Sequence, residues 1–265
     1  MSTQRVTFDD GASTIVESWG GRGPTVVCVH GMTSSRKAWI RLAERLTAFR
    51  IVAYDQRGHG DAAEFRGPMT LDRHVADLNA VVDTLDTAPL ALIGHSWGGA
   101  VVILAGARAP VRAVIAIDPM LDVPAGVWDR EYLDGAKTLL TLPWPARELS
   151  VRSTLAAWHP LDVEGKLHAV RNMTAEPIAR LGAENRVDDG GWRILDVVDG
   201  YPKPLLVLAA GPDDSVMTVD DVARVKARGG PNVRVREFPD EGHNLHRTAF
   251  DAFAMEVESF LSGLA

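Results

Sequence analysis

The sequence predicts an α/β protein with a mainly parallel central sheet flanked by helices, and three observations predict it. Short continuous apolar runs, Thr25-Val26-Val27-Cys28-Val29 being the clearest, are too brief for helices. Such runs suit strands buried on both faces of a parallel sheet. They alternate with segments of helical spacing, such as Leu71, Val75, Leu78, Val81, Val82 and Leu85, and that rhythm calls for right-handed βαβ crossovers. The alternation stops near 119 and resumes near 202, so an insertion interrupts a single sheet.

Taken in order, residues 3–8 and 13–19 read as strands around the turn Asp9-Asp10-Gly11. After the strand 25–29, Trp39, Leu42, Ala43 and Leu46 mark a helix over 36–48. A strand at 50–54, a turn rich in Gly and Asp and a helix over 70–86 follow. The strand 90–93 leads through a glycine-flanked serine to a small-residue helix, 98–108, and then to the strand 112–117. Residues 119–201 carry Trp128, Trp144, Trp158 and Trp192 with amphipathic helical patches, and no convincing strand. The rhythm returns with a strand at 204–210, a helix near 218–228, a strand at 233–238 and a last helix, 247–262.

Composition narrows the function classes. The 265 residues are 46% apolar and 24% charged, which is ordinary for a globular chain with a sizeable core and unlike a disordered one. A net charge of −7 argues against a nucleic-acid partner, which needs a basic face. The N-terminus, MSTQRVTFDDGAS, lacks the apolar stretch of a secretory signal, and no segment reaches the ~18 apolar residues of a membrane span. One cysteine, Cys28, excludes an internal disulfide and fits a reducing compartment. The expectation is a cytoplasmic protein acting on a small-molecule substrate, with a homodimer left open. No helix-borne histidine pair, cysteine cluster or phosphate-cradling loop occurs, so no metal or cofactor is expected.

The chemistry concentrates at Gly94-His95-Ser96-Trp97-Gly98. A buried strand precedes this segment and a helix follows, the setting that a nucleophile elbow requires. A serine is a weak nucleophile and needs a base, itself oriented by a third group. His243 follows the last strand and stands on the same rim as Ser96; His246 is its competitor. Asp214, in the turn after 204–210, is the expected orienting acid, preferred over Asp213 and over Asp118 at the end of the strand 112–117. The N–H groups of Met32 and Trp97 are expected to form an oxyanion hole. His30 is expected to hold its loop rather than to react.

His30-Gly31-Met32, Asp55-Gln56-Arg57-Gly58-His59-Gly60, the serine elbow, Gly211-Pro212-Asp213-Asp214 and Glu241-Gly242-His243 together resemble the α/β-hydrolase superfamily. The likeness runs over essentially the whole chain, in the family's order of Ser, Asp and His. It implies the α/β-hydrolase fold, with a core of 1–118 and 202–265 and a mostly helical cap, 119–201, over the active site. Arg57 and His59 would then hold a structural turn, in which Asp61 stands where the family usually has serine. Trp128, Leu139, Leu140, Trp144 and Trp158 are candidates to line an apolar pocket in the cap. The implied activity is hydrolysis of an uncharged ester or lactone of small to medium size through an acyl-enzyme. Carbon–carbon bond hydrolysis, cofactor-free haloperoxidation and a non-catalytic ligand receptor are the rival readings.

Overall fold

The computed structural model describes residues 1–64, 66–123, 131–186 and 192–264. Strands β1 (Ser2–Thr7) and β2 (Ser13–Gly20) form a hairpin. The chain then runs through β3 (Thr25–Val29), α1 (Ile40–Arg45), β4 (Arg50–Tyr54), α2 (Leu71–Val82), β5 (Ala91–His95), α3 (Trp97–Gly106) and β6 (Ala113–Ile117). Next come, among the described residues, the short strand β7 (Asp122–Val123), four helices and the short strand β8 (Trp192–Arg193). The four helices are α4 (Glu131–Thr141), α5 (Trp144–Thr154), α6 (Pro160–Val170) and α7 (Glu176–Glu184). The chain closes with β9 (Leu205–Ala210), α8 (Val219–Arg228), β10 (Val233–Phe238), α9 (Leu245–Thr248) and α10 (Phe250–Ser262).

Among the described residues, eight strands make one sheet in the order β1-β2-β4-β3-β5-β6-β9-β10. The six from β4 to β10 are parallel, and β2 joins them antiparallel. Every residue of β3, β5, β6 and β9 is buried, because helices cover both faces. Alternate residues serve opposite faces: Val27, Val29, Leu92, Val114 and Val207 join one apolar cluster, with α2, α3 and the helices inserted between β6 and β9. Val26, Cys28, Ile93, Ile115 and Leu206 join the other, with α1 and α10.

The sequence misplaces details for local reasons. The expected helix over 36–48 is a 3-10 turn, Arg36–Trp39, followed by α1. The final helix breaks at Ala249 into α9 and α10. Strands β7 and β8 pair over two residues each, too few for an alternating pattern to show.

A buried ion network ties the inserted helices to the sheet. Arg36 donates to Glu17 of β2 (2.8 Å), pairs with Asp55 after β4, and reaches Asp61 at 2.8 Å. Its guanidinium also lies 3.0 Å from the His168 ring of α6. Asp61, the departure from the resembled turn, therefore has a partner that serine would lack as a charge. Glu17 and Asp55 are 1% and 0% exposed, and an ionised carboxylate stripped of its partner inside a protein is expensive. Arg36→Met is expected to cost about 3–5 kcal/mol, read as a lowered midpoint of urea unfolding.

Candidate active site

Ser96 sits between the end of β5 and the start of α3 with φ +56° and ψ −119°. For a residue with a Cβ this backbone is strained by about 1–3 kcal/mol. Neighbouring bonds hold it there: Ser96 N–H donates to Ile117 O (2.9 Å), and Ser96 O accepts from Ala100 N and Met120 N. The glycines have a steric reason. A Cβ on Gly94 would stand 2.1 Å from Gly98 O, and one on Gly98 would stand 2.4 Å from Val29 O. Only glycine lets α3 approach the strands this closely, and the approach aims Ser96 out of the sheet's carboxyl edge.

His243 lies in the loop between β10 and α9. Its Nδ1 donates to Asp118 Oδ2 at 2.6 Å. This corrects the expectation that Asp214 orients the ring. Asp214 is exposed, and it accepts instead from the backbone N–H of His243, through Oδ2 at 3.2 Å and its carbonyl at 2.9 Å. Asp213 is exposed as well. Asp118 is fully buried and also accepts from Ala210 N (3.2 Å), Ser215 Oγ (2.6 Å) and Val216 N (3.0 Å). The decisive factor is sheet order. Strand β6 is the immediate neighbour of β5, so the residue that ends it is one strand away from the elbow, with a φ of +39° that Asp tolerates. With the Nδ1 proton committed to Asp118, Nε2 is the basic nitrogen of His243.

His95, beside Ser96, steadies this loop by donating from Nε2 to His243 O (2.9 Å), its ring 4.5 Å from that of His243. The competitor His246 packs its ring between His95 and Trp39, centroids 4.2 and 6.0 Å away, with Phe253 beyond. Burial holds its pKa well below the usual value.

The oxyanion candidates come from two elements, the start of α3 and the loop after β3. Trp97 opens α3, so its N–H has no acceptor within the helix, and no acceptor among the described residues takes it or the N–H of Met32. Gly31 brings the Met32 loop against the elbow: a Cβ there would lie 3.0 Å from Ser96 Cβ. His30 is a loop fastener, as expected. Its Nε2 accepts from Gln56 N (2.9 Å), which leaves Nδ1–H to donate to Gly31 O (2.8 Å). Arg57 likewise holds its turn, donating to both oxygens of Asp77 at 2.6 and 2.8 Å.

A cavity of about 420 Å³ opens beside His95 and His243. Met32, Thr33, Ser34 and Asn244 border it from the sheet side, and α4, α5 and α6 border it from the other. Of the five pocket residues expected, Leu139 and Trp158 line it. Leu140 is buried in the core instead, and Trp144 packs under Arg171, whose guanidinium carbon lies 5.0 Å from the ring centre. Trp128 lies outside the described residues. Sequence reasoning missed Lys166 and Arg247, which also line the cavity. Only the packing of α6 and α9 against the loops could have revealed them.

Among the described residues, one trio could hold a metal ion: Asp55, Asp61 and His168. Arg36 already bonds both carboxylates, so that site's charge is answered from within the protein.

Residues 26–256 match the sequence model of the alpha/beta hydrolase family. A non-heme haloperoxidase of Rhodococcus erythropolis is 26% identical over 97% of this chain and 98% of its own. Lipase LipV of Mycobacterium tuberculosis is 33% identical, but over 56% of either chain. In structure, an esterase from Exiguobacterium antarcticum superposes with a TM-score of 0.77 over 98% of this chain and all of that one, at 17% identity.

Proposed function

Because the chain belongs to the alpha/beta hydrolase family, we propose that it is a serine hydrolase that cleaves a carboxylic ester or lactone through an acyl-enzyme. The observation that carries this reading is the Asp118–His243 hydrogen bond on the rim that holds the strained Ser96. His243 Nε2 takes the proton of Ser96 as Oγ attacks the carbonyl carbon. The oxyanion receives the N–H groups of Met32 and Trp97. His243 then protonates the leaving oxygen, and later activates the water that releases the acid. Asp118 fixes the ring's tautomer throughout.

The helical segment between β6 and β9 acts as the cap. With the loops of the sheet it encloses a space suited to a small or medium acyl group rather than a long chain. The test is a fluorophosphonate probe, with p-nitrophenyl esters from acetate to decanoate in parallel. Label is expected on Ser96, with ester hydrolysis that Ser96→Ala abolishes and that favours the shorter chains. A wild-type protein that takes no label and cleaves no ester would overturn the reading in favour of a ligand receptor.

A further inference from the structure

A lysine from the inserted helices holds the loop that carries Met32. Ser34 N donates to Gly31 O (3.3 Å), which closes a tight turn with Met32 and Thr33 at its centre. Thr33 has a φ of +54°. A turn of that shape favours glycine or asparagine at this position, because a β-branched residue is strained there. Lys166 of α6 holds the strained residue from outside the turn: its Nζ donates to Thr33 O (2.8 Å) and to Thr33 Oγ1 (2.6 Å).

Helix α6 is a firm support for that reach. Gly165 abuts the chain at Lys37, where a Cβ on it would lie 3.2 Å from Lys37 C, and Gly165 O accepts from Ser35 Oγ (2.9 Å). One turn earlier Asp162 pairs with Arg41 (2.6 Å), and beyond Lys166 the His168 ring stands 3.3 Å from Asp55 Oδ2. The turn's entry is fixed as well, since Gly31 lies so close to the elbow that a Cβ would meet His95 Nδ1 at 2.9 Å. Met32 is thus caught between the elbow and a Thr33 that Lys166 pins. An oxyanion donor accelerates a reaction when it is aimed in advance at the charge that develops, so freeing this turn would weaken the transition state more than substrate binding.

From this geometry we infer that Lys166 is a positioning residue for hydrolysis: it holds Thr33 in the left-handed conformation and so keeps the Met32 N–H aimed at the oxyanion. The inference rests on the hydrolase reading, in which Met32 is an oxyanion donor. It gives the inserted helices a part in the chemistry beyond enclosing the cavity.

Lys166→Met keeps most of the side chain's length and removes its donors. Its kcat on p-nitrophenyl acetate is expected to fall by about 10- to 100-fold, less than the roughly 10²–10³-fold that follows loss of a whole donor, while KM stays within about threefold. Thr33→Gly supplies the internal control, because glycine takes a positive φ without help. In a Thr33→Gly background, Lys166→Met is expected to cost less than about threefold in kcat, the coupling that a shared task requires. Thermal unfolding of each variant separates lost positioning from lost structure, and Lys166→Gln, too short to reach both acceptors, is read in the same way if the methionine variant does not fold. An unchanged kcat in folded Lys166→Met, a loss confined to KM, or an equal penalty in the Thr33→Gly background overturns the inference. Failure of the hydrolase reading shows differently, as a wild-type protein whose Ser96 takes no fluorophosphonate and which cleaves no ester.

Discussion

Asp118→Asn is expected to lower kcat for ester hydrolysis by about 10⁴-fold, the scale seen when a triad carboxylate becomes an amide. The amide can present its NH₂ to Nδ1, which moves the ring proton to Nε2 and removes the lone pair that the proposed mechanism needs there. Asp214→Asn is expected to fall by less than about tenfold, because an amide oxygen still accepts from the His243 backbone N–H and the ring's tautomer is untouched. Steady-state kinetics of the two variants on one ester, with matched circular dichroism, decides between the acids. A larger loss in Asp214→Asn would return the role to the turn after β9.

The second large effect is acid unfolding. His30, His59, His74, His95 and His246 are buried and held neutral, mainly by desolvation. Burial lowers His30 to about 4 and His59 and His74 to about 3, and it depresses His95 and His246 strongly as well. In the unfolded chain each titrates near 6.5. Between those values the unfolded state binds more protons, so stability is full above about pH 6.5 and falls with pH toward the folded-state values. Each histidine contributes up to about 1.4 kcal/mol per pH unit. Against a typical stability of about 5–15 kcal/mol, five such groups should unfold the protein by about pH 4. Urea unfolding followed by tryptophan fluorescence from pH 7.5 downward measures the slope. A stability that is level between about pH 7 and pH 5 would refute this account, which rests on histidine titration in that window.

The sheet was legible because its inner strands are apolar without interruption. β3, β5, β6 and β9 stand within one or two residues of where the sequence places them. The elbow was legible because a serine between glycines, after such a strand, has few other uses. Asp118 and Asp214 were harder to separate, since both follow a strand's carboxyl end. What separates them is lateral order: β6 lies beside β5 and β9 lies beyond it, and one-dimensional spacing does not encode neighbours. The cavity was least legible. Periodicity marks which cap residues are apolar, but Leu140 and Trp144 face other helices, and Lys166 enters the lining only through the seating of α6 against the Thr33 loop.

The clasp around Asp118 has a consequence for the order in which the chain is made. Ser96 and Asp118 leave the ribosome early, yet the partners of that carboxylate, Ala210, Ser215, Val216 and His243, belong to the last quarter of the protein. More than eighty residues separate β6 from β9, and β9 must dock on it before β10 can bring His243 to the rim. On the proposed mechanism, a nascent chain therefore displays Ser96 before its base, His243, exists. On that mechanism hydrolytic competence arrives in a single late step, when the far edge of the sheet closes, and a truncated or stalled product is expected to be chemically silent.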